Sequence, residues 1–237
     1  LAHSKDAFFS SLQSKIVIAS QAHVKIPQKK TNECILPLPS GTLSHNTLSS
    51  TIIGIGASTG GTETTLEILK ALPKEMPGIV VTQHMPEGFT AMYAQRLNRL
   101  CKLEVKEAKH GDPILPGQVL IAPGSLQMKV VPAQKGYMVQ CVNGEKVNGH
   151  CPSVDVLFSS IADNVSIRKV GIILTGMGRD GADGLLKMRQ KGAFTIGQDK
   201  ASSVVYGMPM VANNIGAVCI QSSYKNIASV LLNHLKQ

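Results

Sequence analysis

The chain has 237 residues, room for one large α/β domain or one domain with an appendage; 22 are glycine, aromatics are few and Trp is absent. The formal charge of +9 makes the surface basic, yet Arg and Lys are spread without a basic–aromatic recognition motif, so no nucleic-acid partner is expected. Five widely spaced cysteines (34, 101, 141, 151, 219) with no C-x-x-C provide neither a disulfide framework nor a zinc motif, and fit reduced thiols in a cytoplasmic protein. No apolar run approaches the ~18 residues of a membrane span, so no membrane insertion is expected. The N-terminus lacks signal-peptide character, and a start at Leu1 reads as a trimmed chain.

In chain order, Phe8, Phe9, Leu12, Ile16 and Val17 fall near helical spacing and predict an amphipathic helix over about 6–19. The Ser/Thr/Pro-rich stretch that follows has the composition of a linker, so residues 1–50 are expected to be a linker and the domain proper to span 51–237. From Thr51 apolar strands and helical patterns alternate, which predicts a doubly wound, mostly parallel, Rossmann-like α/β sheet. The apolar run Ile52, Ile53, Ile55 reads as a strand leading into helix 62–72, and strand 78–82 leads into helix 88–100. The runs 103–107, 118–122, 128–132 and 137–142 are split by Pro and Gly turns and read as an antiparallel β-ribbon excursion. Ser153 is placed to cap a helix to about Asn164. Strand 170–174, helix 182–190, strand 193–197, a loop, strand 217–220 and helix 224–236 complete the series.

The first strand ends in a stretch with two readings. Gly56-Ala57-Ser58-Thr59-Gly60 fits G-x-S-x-G, a tight turn that lifts a serine hydroxyl above a sheet. Gly54, Gly56 and Gly60 also fit a loose dinucleotide-type turn, which would cradle phosphate. In open parallel sheets, reacting groups gather beyond the carboxyl ends of the strands. Ser58 follows the first strand, His84 the second, and Asp180 the strand ending at Leu174. A serine hydroxyl needs a base to take its proton, imidazole suits that at neutral pH, and a carboxylate on the other ring nitrogen fixes the tautomer. Each residue also has an ordinary structural reading: Ser58 as a helix cap, His84 as a hydrogen-bonded loop histidine, Asp180 as a turn aspartate. Their shared place at one rim of the sheet favours the catalytic one. The Gly176-Met177-Gly178 and Thr59-Gly60-Gly61 segments add backbone N–H groups for an oxyanion. His150 and the remaining histidines lack such company.

The segments Ile53–Gly61, Val81–Pro86, Ile121–Gly124, Pro152–Phe158, Ile173–Gly181 and Val205–Pro209 resemble, in order, the catalytic domain of chemotaxis protein-glutamate methylesterases of the CheB type. The resemblance implies that Ser58 is the nucleophile, His84 the base and Asp180 the third triad member, with Thr59 in the site and the Met177 N–H as oxyanion donor. It implies hydrolysis of glutamate γ-methyl esters, with Gln deamidation as a related activity, on cytoplasmic helices of chemoreceptors. It also implies no metal or organic cofactor, and a receiver domain in the full-length protein whose last portion residues 1–50 would retain. One departure stands out: Asn148-Gly149-His150-Cys151-Pro152 replaces Asn-Arg-His-Arg-Pro, so two arginines are missing. Lys200 also stands where an acidic residue is common. The alternatives are a nucleotide-binding Rossmann protein, which would want an acidic residue where Gln83-His84 stand, and a non-catalytic receptor-docking module.

Overall fold

The computed structural model describes residues 35–237, and the helix expected over 6–19 lies outside them. A seven-stranded parallel sheet runs in the order β3-β4-β2-β1-β7-β8-β9, with β1 (Thr51–Ala57) and β2 (Gly78–Gln83) near its centre. The other strands are β3 (Glu104–Glu107), β4 (Gln118–Ile121), β7 (Arg168–Ile173), β8 (Phe194–Gln198) and β9 (Ile220–Ser222). Every residue of β1 and β2 is buried, as expected for parallel strands covered on both faces.

Helices clothe the two faces. On one lie α2 (Gly61–Ala71), α3 (Phe89–Leu100) and α7 (Tyr224–Leu235), whose Leu66, Leu69, Leu97 and Leu231 share one core with Ile53 and Ile55 of β1. On the other lie α4 (Val154–Asn164), α5 (Ala182–Gln190) and α6 (Met208–Asn214), packed around Phe158, Leu185 and Met208. The antiparallel ribbon is β5 (Gln127–Pro132) with β6 (Tyr137–Val142), and it covers α4 through Met128, Val130 and Val139. The excursion is therefore smaller than its four strand-like runs predict. The first two, β3 and β4, pair in parallel within the main sheet instead. Two short elements have no forerunner in the sequence reading: α6, and α1 (His45–Ser49), which Ser44 caps by accepting from the Thr47 N–H at 3.1 Å.

Residues 35–50 lie against the α7 side. Leu43 joins that core, the Ser229 hydroxyl donates to Leu36 O at 3.0 Å, and Lys236 Nζ donates to Pro39 O at 3.1 Å.

The glycines of the first turn have a packing purpose. A Cβ on Gly54 would stand 2.7 Å from Ile161 Cδ1, and one on Gly56 only 2.1 Å from Val154 Cγ1. Bare backbone there lets α4 press onto β1. That contact occupies the face along which a dinucleotide-type reading of Gly54 and Gly56 would need close ligand approach.

Candidate active site

The chain leaves β1 toward β2 on one side of the sheet and later reaches β7 on the other, so the β1/β7 boundary is the topological switch point. Ser58 follows β1 there. Its N–H donates to Thr175 O at 3.0 Å, beyond β7, and its carbonyl accepts from the Gln83 side-chain amide at 2.9 Å, at the end of β2. Gln83 is itself buried, so three strand ends are stapled around the serine. Ala57 pairs with Gln83 in register, and the His84 N–H donates to Ala57 O at 3.0 Å. Ser58 and His84 are consequently the next pair of neighbours across adjacent strands, which lie roughly 4.8 Å apart. Ser58 does not cap α2: the N-cap is Gly60, at φ 80°, with no side-chain cap.

His84 and Asp180 meet directly. His84 Nε2 and Asp180 Oδ2 are 2.7 Å apart, with the two side chains 7% and 0% exposed. Asp180 is not a turn aspartate serving its own helix, since Gly181 caps α5 without side-chain help. Instead it caps α4 from outside, accepting from the Val154 N–H at 2.7 Å and the Asp155 N–H at 3.3 Å. The Ser153 hydroxyl (2.7 Å) and Asn148 Nδ2 (3.1 Å) donate to its other oxygen. Burial by itself pushes this carboxyl up, but the hydrogen bonds from His84, Asn148, Ser153 and Val154 outweigh it and hold it at about 2. An ionised carboxylate can only accept, so the proton between the two residues sits on Nε2 of His84. In the neutral ring, the form a general base must take, the free lone pair is then on Nδ1. It is buried and has no hydrogen-bond partner; Ser58 stands in the neighbouring register position without bonding to it. Hydrogen bonds of this kind commonly tighten only when substrate binds.

The segment after β7 folds over the serine. A Cβ on Gly176 would lie 2.7 Å from the Ser58 Cβ and 2.3 Å from Met208 Sδ, so only glycine admits this approach. Gly176 is held in place by its N–H to Val205 O (3.0 Å) and its carbonyl to the Met208 N–H (2.9 Å). Among the described residues the N–H groups of Thr59 and Met177 donate to no protein acceptor, and both residues are exposed, Met177 at 73%.

Four contributors escape the strand-end pattern: Asn148, His150, Ser153 and Asp155. They come from the turn before α4 and its first residues. His150, set aside on sequence, stacks on the His84 ring with centroids 3.7 Å apart and planes 6° from parallel. The sequence signals for this turn were the Asn148-Gly149 pair, a hairpin-turn dipeptide, and the Asn148–Pro152 stretch that departs from the family pattern. His84, His150 and Asp180 each place a ligand-type atom within 4.8 Å of the others. Parallel rings, however, aim their in-plane lone pairs along parallel lines and not at one point, and Asp180 is already saturated with donors. Proton transfer belongs to the bonded His84–Asp180 pair, and the trio does not have the convergence of a metal centre. The cleft beside it is bordered by Met85, Pro86, Lys146 and Cys151.

Residues 53–231 match the family described as CheB methylesterase. The chain is 52% identical over 232 residues to a protein-glutamate methylesterase/protein-glutamine glutaminase of Syntrophomonas wolfei, covering 98% of this chain and 66% of that one. A protein of the same description from Syntrophotalea carbinolica is 45% identical, over 100% of this chain and 67% of its own length. The chain thus spans about two thirds of these relatives. Among solved structures, the CheB methylesterase catalytic domain of Thermotoga maritima superposes with a TM-score of 0.76 at 35% identity, over 78% of this chain and 99% of that one.

Proposed function

The chain belongs to the CheB methylesterase family, and from that premise we propose that it hydrolyses glutamate γ-methyl esters, and deamidates glutamine at such sites, on the cytoplasmic helices of chemoreceptors. The supporting observation is the His84–Asp180 bond on Nε2, which leaves a buried, unpartnered Nδ1 on a residue that follows β2 as Ser58 follows the adjacent β1. In this reading Nδ1 takes the Ser58 proton as Oγ attacks the ester carbonyl, and Asp180 stabilises the imidazolium that forms. The N–H groups of Thr59 and Met177 hold the negative oxygen of the tetrahedral intermediate. Its collapse breaks the C–O bond, and the proton on His84 passes to the departing methoxide, giving methanol. Water then enters by the same base and releases glutamate. With an amide substrate the leaving group is ammonia.

The catalytic residues belong to the domain from Thr51 onward, in the cytoplasm with the receptor helices. A receiver domain controlling access to the cleft is part of the same reading.

Methanol release from methylated receptor membranes tests it. Ser58→Ala and His84→Gln are expected to cut the rate by roughly 10⁴–10⁶, and Asp180→Asn by about 10² less than that. Methanol release unchanged by Ser58→Ala would remove Ser58 as the nucleophile, and no release by the wild type would leave a docking module, not an enzyme.

A further inference from the structure

The triad accounts for three side chains, but a fourth element holds two of them. The Val147–His150 turn is closed by reciprocal backbone bonds, Val147 N–H to His150 O at 3.0 Å and His150 N–H to Val147 O at 2.9 Å. Its central residues, Asn148 and Gly149, sit at φ 51° and 83°, the backbone sign for which Asn-Gly is the favoured pair. From this turn Asn148 Nδ2 reaches both Asp180 Oδ1 (3.1 Å) and Asp155 Oδ2 (2.6 Å), while His150 lies flat on His84. The turn is anchored in turn by Gln127, buried on β5. Gln127 Nε2 donates to Glu145 O at 2.9 Å and His150 O at 3.3 Å, and its Oε1 accepts from the Ser153 N–H at 2.8 Å.

Resting on the hydrolase reading above, we propose that the Val147–His150 turn is a clamp on the His84–Asp180 pair, with Asn148 and His150 as positioning residues for the base and its carboxylate. A ring stacked at van der Waals distance stops the His84 imidazole from tilting out of the plane in which Nε2 meets Asp180. Asn148 does the same for the carboxylate by tying it to a second one, Asp155, whose Oδ1 is fixed by the Gly184 N–H at 2.6 Å. The groups facing His150 are His84, Asp180 and Lys146. Burial, and then His84, push its titration below the ordinary imidazole range, so it stacks as a neutral ring and adds no second cation beside the base. The ribbon β5–β6, which contributes no triad member, thereby has a task at the site: through Gln127 it makes the clamp rigid.

The test is the tautomer of His84 by long-range ¹⁵N NMR, alongside kcat and KM, in the full chain and in His150→Ala, His150→Phe and Asn148→Ala. The wild type is expected to show a single Nε2–H tautomer. His150→Ala and Asn148→Ala should mix tautomers and lower kcat ~10-fold or more with KM within about twofold. His150→Phe keeps a flat ring on His84 and should restore the single tautomer and most of kcat. A folded His150→Ala with one tautomer and wild-type kcat overturns the clamp, as does an effect confined to KM, which would make the turn a substrate contact. So does failure of His150→Phe to rescue, because the ring's nitrogens and not its stacking would then matter. Should the tautomers respond as expected while the wild type releases no methanol from receptors, the clamp stands and the substrate assignment falls.

Discussion

Asp180 receives hydrogen bonds from a ring nitrogen, a hydroxyl, a carboxamide and two backbone amides, and no water-filled space is needed to keep it charged. Its folded-state value of about 2 lies below the ~3.9 of an unfolded aspartate, so its charge favours the folded state. That contribution, about 2 kcal/mol, is present in full above pH ~4 and disappears as pH falls toward the folded value. Glu63, Asp112 and Asp163 also titrate low, so the informative quantity is the difference between wild type and Asp180→Asn. Asparagine must turn an N–H toward groups that are themselves donors, so the variant should be less stable at pH 7. Between pH 5 and 2.5 it should lose less stability than wild type does. Urea unfolding across that range checks it; parallel pH curves for the two proteins would mean the charge on Asp180 does not stabilise the fold.

At the scale of elements, the same close contact that positions α4 also positions the carboxylate, because the Val154 side chain packs over Gly56 while the Val154 N–H binds Asp180. Gly56→Ala places a methyl 2.1 Å from Val154 Cγ1, on a β-branched, fully buried side chain that cannot swing away. Overpacking of this kind costs about 1–3 kcal/mol, and the forced shift of α4 should lower kcat with it. Gly56→Ala combined with Val154→Ala removes the colliding methyls and should recover part of both losses in melts and rates, a non-additivity expected of touching residues. Equal or greater damage in the double variant would mean Gly56 serves something other than this contact. Elements were legible wherever an apolar run ended in Gly or Pro: β1, β2, α2, α5 and their neighbours fall within a residue or two of expectation. The shortfalls have physical causes. α6 is seven residues long, opens on Met208-Pro209 and ends in Asn213-Asn214, too short for a 3.6-residue period to emerge. β9 pairs at Ile220–Ser222, displaced from the apolar Ala217-Val218 that predict it, because as an edge strand it is partly exposed. β3 and β4, at four residues each, are shorter even than the six-residue ribbon strands, and only long-range pairing assigns them to the main sheet. At the site, the strand-end places of Ser58, His84 and Asp180 could be read from position, while their roles came from the family resemblance. The clamp could not, since a stacked histidine and a shared carboxamide belong to a turn whose place over the sheet is set by tertiary packing.

Over the whole molecule, Ser58, His84 and Asp180 follow strands at one end of the sheet, and the chain, with Lys and Arg spread along its sequence, carries a net charge of +9. Charges spread this way do little for the fold, but they raise the encounter rate with an acidic partner through long-range attraction. Receptor helices rich in acidic residues are such a partner under the proposed function. Because ordinary salt shortens the reach of a charge to about 10 Å at 0.1 M, steering should weaken steadily with ionic strength. The expected signature is a kcat/KM for receptor membranes that falls roughly 3–10-fold between low and high salt while kcat stays nearly constant, since Asp180 and the bond it makes to His84 are shielded from solvent. A small neutral methyl ester supplies the internal comparison, because it feels no steering field and its kcat/KM should not change. If both substrates lose rate together, salt acts on the catalytic machinery itself; if neither does, the basic surface has no part in bringing receptor and enzyme together.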